Sequence, residues 1–194
     1  MRDRGYTMVE VMMALAVLTI GATGIVAMQR TSLLGNTRAR NLDVANAIAT
    51  TWIERMRLAA VQWTDGGGTP NLNTVPYLSI VGSDFPTVNP PEGVWFRPAE
   101  QPLAGISPAA DVRGMDTFNP AQEAFCTHLR IAQIQPTSIR VEVRVFYLRD
   151  QGGGTLGGDR LCSDSPAVIA AVDGALSRYH FVYAATAVVR NDVN

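Results

Sequence analysis

The chain has 194 residues and a formal net charge of −1, a length that suits one domain with an extension or a single elongated molecule. An apolar fraction of 47% against 17% charged residues excludes a disordered chain. The near-neutral balance provides no field that would select nucleic acid or anionic lipid.

All 16 basic residues are arginine, which reads as codon bias rather than function. The two cysteines, Cys126 and Cys162, are too few for a disulfide scaffold, and their spacing fits no zinc motif.

The N-terminus is the most informative segment. Met1-Arg2-Asp3-Arg4-Gly5 is followed by Tyr6-Thr7-Met8-Val9-Glu10, and from Val11 to Gln29 no residue carries a formal charge. As a helix its almost wholly apolar part, Val11 to Met28, is about 27 Å long, near the thickness of a bilayer core. Three readings compete for it. A secretory signal needs a shorter apolar run followed by a small-residue cleavage site, and here Gln29-Arg30 follow instead. A plain single-span anchor accounts for the apolar run but leaves Glu10 unexplained. A carboxylate entering a membrane helix costs free energy and points to a charge partner, although an acid in the first turn is also favoured by the helix dipole.

The third reading takes in the whole N-terminal arrangement. Gly5, an aromatic at Tyr6, Thr7, the apolar pair Met8-Val9 and then Glu10 resemble the prepilin motif of type IV pilins, with Tyr6 where that family most often has Phe. The resemblance implies cleavage after Gly5 by a prepilin peptidase and N-methylation of Tyr6. It also implies that Glu10 pairs with the N-terminal amine of a neighbouring subunit, a charge pair that a dry filament core tolerates.

Two further stretches, Thr19 to Gln29 with Gly21 and Gly24, and Ala45 to Ala49 with Glu54-Arg55-Met56-Arg57, resemble the PilV-type minor pilins. That family implies an inner-membrane protein, single-pass among the lipids, with a periplasmic C-terminal domain and later a place at or near the pilus tip. Its partners would be other minor pilins, the major pilin and a tip adhesin. The same N-terminus also serves minor pseudopilins of type II secretion systems. A single-pass membrane protein with an independent periplasmic binding domain is the remaining alternative.

Past the apolar run the helical pattern continues. Leu42, Ala45, Ala49, Trp52, Met56 and Ala59 recur every three or four residues, as one apolar helix face requires. Asp65-Gly66-Gly67-Gly68 is a stop signal, so one helix is expected from Tyr6 to Gln62, on the order of 85 Å long. Ten of the 11 prolines lie between Pro70 and Pro136, which disfavours long helices and central strands there. Trp95 and Phe96 are expected to anchor this connection, with binding as the alternative role.

Ile139 to Val145 alternates Ile/Val with charged residues and predicts a strand with one buried and one wet face. Cys126 to Gln135 precedes it as a strand, with Pro136-Thr137-Ser138 as the turn, and Tyr179 to Val189 reads as a third strand. Ser165-Pro166 opens a helix with Pro at its first position.

The expected architecture is α+β: a pilin fold whose long N-terminal helix packs its C-terminal half on a small antiparallel sheet. Its parts are a leader over 1–5, an apolar helix half over 6–29, an amphipathic half over 30–64, a Pro/Gly-rich connection over 65–125 and a sheet head over 126–194. No catalytic residue, metal site or cofactor is expected. Gly152-Gly153-Gly154-Thr155 lacks the Lys and helix of a phosphate loop. His128 and His180 belong to no metal or nucleophile motif, and the acidic residues over 159–164, Asp159 and Asp164, lack calcium-loop spacing. In the oxidising compartment that the resemblance implies, Cys126 and Cys162 are expected to bridge, two buried thiols being the alternative.

Overall fold

The computed structural model describes residues 7–60, 75, 76, 78, 93–135, 138–149 and 161–189. The leader, the Asp65–Gly68 stop, the Pro136-Thr137 turn and the Gly152–Gly158 stretch lie outside these residues. The chain forms an α+β architecture. Helix α1 spans Met8–Ala59 and is followed by strands β1 (Ala109–Ala110), β2 (Phe125–Gln135), β3 (Ser138–Leu148), helix α2 (Pro166–Gly174) and strand β4 (Tyr179–Val189). The four strands pair antiparallel in the order β1-β2-β3-β4, a meander in which neighbours in sequence are neighbours in space. Short 3-10 turns at Pro102–Ala104 and Pro120–Gln122 lie in the connection before β2, each opened by a proline whose missing N–H is no loss at that position.

Two compact units divide at Asn41/Leu42. The first holds the apolar half of α1, and every described residue from Thr7 to Arg40 is exposed within the chain. The second unit holds the remainder of α1 and the sheet. Burial begins at Ala45 and recurs at Ile48, Ala49, Trp52, Met56 and Ala59. Leu42, expected on this face, is 46% exposed, and Ile48 takes a place on it that the spacing had not assigned. The buried stripe is therefore shifted toward Ile48 at its N-terminal end.

This stripe packs on one face of the sheet. Leu129 and Ile131 of β2, Ile139, Val141, Val143, Val145 and Tyr147 of β3, and Val182 and Val188 of β4 meet Trp52 and Met56 in a single core. The registers explain the set. Leu129 lies opposite Val143 and Ile131 opposite Val141, while Val145 lies opposite Val182 and Ile139 opposite Val188. All these positions share one face by the period-2 rule.

The connection before β2 is fastened to the same core. Phe96 is 3% exposed and exchanges two backbone hydrogen bonds with Leu129, at 2.9 and 2.8 Å. Arg55 of α1 donates to Asp116 at 2.7 Å, and the Ser107 N–H donates to the same carboxylate oxygen at 3.2 Å. Gly114 has φ +83, and a Cβ there would stand 2.9 Å from Val44 Cγ1, so the loop approaches α1 as closely as a backbone without a side chain can.

The second face of the sheet is not wholly wet, contrary to the alternation of β3. Arg144 is fully buried. The reason is α2, which covers that end of the sheet through Val172 in a second small core with Cys126, Phe146, Cys162 and Tyr179. A disulfide joins Cys126 to Cys162, with Cα atoms 5.1 Å apart, tying the segment before α2 to β2. Burying a charge demands partners, and Arg144 has them. Its Nη1 is ion-paired with Asp173 of α2, its Nη2 donates to the Ile169 carbonyl at 3.3 Å, and its Nε lies 3.2 Å from His128 Nδ1. Trp95 packs its ring on the same guanidinium, 4.5 Å from centroid to Cζ, and on that of Arg130 at 4.7 Å.

His128 is held neutral by this arrangement. Burial pushes its pKa well below the ordinary value, and the neighbouring Arg144 and Arg97 push it the same way. Its Nδ1 faces the Arg144 donors, which places the ring proton on Nε2.

Two outcomes are expected. Trp52→Ala should lower the stability of the head by about 3–5 kcal/mol, read by urea unfolding of the full chain in detergent; a loss below ~1 kcal/mol would remove Trp52 from the centre of the core. For His128, the unfolded chain takes up a proton as pH falls through about 6.5, whereas the folded chain does not until lower pH. Stability should therefore fall with acidification below about 6.5, by up to ~1.4 kcal/mol per pH unit from this group. His128→Gln, which keeps an acceptor for Arg144, should flatten that part of the profile; an unchanged slope would assign acid sensitivity to the carboxylates instead.

Candidate assembly site on the N-terminal helix

The apolar half of α1 has no partner within the described chain. Met8, Val9, Met12, Met13, Leu15, Val17, Leu18, Ile20, Ile25 and Met28 are each more than half exposed. This helix is long and apolar enough to cross a membrane. Its polar groups are turned inward on the backbone: Thr19 Oγ1 donates to the Ala16 carbonyl at 2.8 Å, and Thr23 Oγ1 to the Ile20 carbonyl at 2.8 Å. Such bonds spare a hydroxyl from lying unsatisfied in hydrocarbon. At Gly21, Gly24 and Gly35 an added Cβ would meet nothing within 4 Å. Nothing among the described residues requires glycine there; close approach of a neighbouring helix and local softness are physical reasons for it.

Glu10 sits in the first turn, and its side chain is placed by Thr7. The Thr7 N–H donates to Glu10 Oε2 at 3.0 Å, and the Thr7 hydroxyl lies 3.2 Å from the same oxygen. In return the Glu10 N–H donates to Thr7 Oγ1 at 3.3 Å. This reciprocal pattern is a capping box, with Thr at the N-cap and Glu three residues on. The T-x-x-E spacing is present in the sequence and was the available signal for it. Beside the carboxylate, Val11, Ala14, Leu15 and Leu18 line a shallow groove along one helix face. A carboxylate thus stands at the end of an apolar stripe that no described residue covers.

The remaining sequence-assigned positions are placed as follows. Gly5 and Tyr6 lie outside the described residues. Cys126 and Cys162 form the head disulfide, remote in sequence from Glu10. His128 belongs to the Arg144 cluster, whereas the His180 ring packs on Tyr147 with centroids 5.2 Å apart. Trp95 is half-buried and its ring packs on the guanidiniums of Arg144 and Arg130. Among the described residues, no cluster of three or more His, Cys, Asp and Glu has metal-site geometry.

Comparison with known proteins bears on the N-terminus. No curated protein and no solved structure gave a significant match to the chain. Residues 1–26 match the model described as the Prokaryotic N-terminal methylation motif. The matched stretch contains Gly5, Tyr6, Thr7 and Glu10 and runs into the exposed apolar helix. It supports a type IV pilin-like protein, processed by prepilin peptidase, anchored in a membrane by α1 and associating with other pilins.

Proposed function

We propose that this chain is a minor pilin of the PilV type that primes, assembles or modifies the type IV pilus as a structural subunit. The observation that carries the proposal is the continuity of the methylation motif with an uncovered apolar helix bearing Glu10 at its start. After cleavage behind Gly5, the amine of Tyr6 is a cation at the end of an apolar helix. A neighbour's Glu10 carboxylate is its natural counterpart in a dry helix bundle. The apolar halves of several minor pilins would associate in the inner membrane, the heads facing the periplasm, with major pilin adding beneath them. A tip adhesin is a further partner of such a complex.

The Glu54-Arg55-Met56-Arg57 run has a fold-level explanation. Met56 is fully buried, Arg55 binds Asp116, and Arg57 bridges Glu54 and the Thr186 hydroxyl at 2.7 and 3.2 Å. In this chain the run seats the helix on the head, and the PilV-type reading rests on its resemblance in sequence.

Two experiments test the proposal. N-terminal sequencing and mass analysis of the protein from membranes and from sheared pili should show cleavage after Gly5, a methylated Tyr6 and presence in the pilus fraction. Recovery with residues 1–5 retained would support an independent membrane protein, and processed protein confined to a secretion machine would support a pseudopilin. Second, Glu10→Ala and Glu10→Gln should both insert in the membrane yet fail to enter pili. Gln keeps the capping box and removes the charge, so normal incorporation of Glu10→Gln would reduce Glu10 to a helix cap.

A further inference from the structure

Helix α2 is lightly held. It has 9 residues, too few for a helix to be stable alone, and its buried side chains are Ile169 and Val172. Its polar hold on the sheet passes through Arg144, which is ion-paired with Asp173 and donates from Nη2 to the Ile169 carbonyl at 3.3 Å. The same guanidinium is oriented from the other side by His128, whose Nδ1 lies 3.2 Å from Nε and 2.9 Å from Nη2. An imidazole accepts there only while neutral, because both ring nitrogens of the protonated form are donors. The charges around His128 come from each neighbouring element. Strand β3 presents Arg144, and the connecting segment presents Arg97, buried and ion-paired with Glu100. On β2 itself, Arg130 lies on the same face, ion-paired with Glu142 of β3. Strand β4 places Tyr183 opposite Arg144. Helix α2 presents Asp173, whose side chain is 53% exposed. Burial and the two cations Arg144 and Arg97 keep the ring neutral.

We propose that α2 is an acid-released cover: when His128 takes up a proton, Arg144 loses its acceptor and α2 lifts from the outer face of the sheet while the Cys126–Cys162 disulfide keeps it tethered. The geometry selects the element that yields. A protonated His128 beside Arg144 and Arg97 has to reach water. Strand β2 is paired with β1 and β3, and β3 with β2 and β4, so neither strand can move alone. The segment at Trp95 is fastened by the two backbone bonds between Phe96 and Leu129. Helix α2 resists with two buried side chains and with Arg144 contacts that depend on His128. Water already stands on its side of the cluster, at Asp173. The tether lies just before the helix, where Cys162 is bridged to β2 and its N–H donates to Glu123 at 3.1 Å. Lifting α2 uncovers Phe146, Tyr179 and the Arg144 guanidinium, each buried in the closed head. One ring nitrogen, changed from acceptor to donor, is thereby coupled to a whole helix.

The test is amide hydrogen exchange of the full-length protein in detergent between about pH 7.5 and about pH 5, corrected for intrinsic exchange rates. The opened state binds a proton with the ordinary histidine affinity, near pH 6.5, and the closed state does not. Opening of α2 should therefore rise about thirtyfold as pH falls across this range. It should depend little on urea, since a local opening exposes little surface. Carboxylates ordinarily titrate near pH 4, below this window. His128→Asn and His128→Gln both keep an acceptor for Arg144 that does not titrate, and both should abolish the rise. Asp173→Asn should increase α2 opening at every pH with the rise retained. The proposal is overturned if α2 opening does not change with pH, or if α2 amides exchange together with those of β3 and with the same urea dependence. It is also overturned if the rise persists in the His128 variants, or if Asp173→Asn abolishes it, which would make the carboxylate the sensor. Should neither His128 variant fold, the urea dependence of the unsubstituted protein and the Asp173→Asn profile still decide.

Discussion

The head depends on one contact, the insertion of the Ala45–Ala59 stripe of α1 into the inner face of β2, β3 and β4. Trp52 and Met56 are the large side chains of that stripe, and both are essentially inaccessible. A three-stranded meander with one bare apolar face is unstable in water until something covers it. Here the cover is a helix whose other half has no partner among the described residues. The amphipathic half therefore joins two demands in one continuous element: it completes a soluble core, and it continues without a proline from a segment suited to lipid or to other helices. The Arg55–Asp116 and Arg57–Glu54 pairs flank Met56 and add orientation more than energy, since partly exposed pairs contribute little.

The outer face of the sheet is solved differently. At one end it is closed by α2 and the Cys126–Cys162 disulfide, and the enclosed space includes a charge. Arg144 sits there because several separate groups satisfy it: a carboxylate on α2, a carbonyl on α2, a neutral histidine on β2 and an indole face from the connecting segment. Removing any one of them leaves a buried cation short of a partner, which is more costly than the pair is worth. This makes Arg144 the point through which α2, β2 and the segment at Trp95 are held in register with β3. His128 serves in that set only while neutral, and its surroundings enforce that state.

Much of this was legible in the sequence, for identifiable reasons. Strand β3 follows from period-2 alternation, β2 and β4 from strand-like runs beside it, and α2 from the Ser165-Pro166 start, because these signals are local. The depth of Arg144 was not legible. Alternation reports which face of β3 a residue occupies, but whether that face is covered depends on a helix that begins more than 20 residues later. Leu42 and Ile48 mark a smaller limit. A 3.6-residue period locates the middle of a helix stripe well and its margins poorly, since a margin residue is buried only where a neighbour reaches it. Strand β1 consists of Ala109 and Ala110 alone, too short to carry any pattern. At the candidate site, the Gly5-Tyr6-Thr7-Met8-Val9-Glu10 arrangement was visible as a motif. The bonds that tie Thr7 to Glu10 required coordinates.

Those bonds bear on why an acid can stand where Glu10 stands. The capping box and the helix dipole make a carboxylate tolerable at the start of an apolar helix within a single chain. That account is complete for one chain and silent about the apolar stripe that begins at Val11. The capping bonds converge on Oε2, and among the described residues no hydrogen bond reaches Oε1. Capping therefore leaves Oε1 available to a second partner. Under the proposed function the cap holds the carboxylate in one orientation before any neighbour arrives, and the neighbour's amine meets an acceptor already in place. Less side-chain entropy is then lost when the pair forms. Under that proposal the intrachain cap and the interchain ion pair are successive uses of one side chain, with Thr7 linking them.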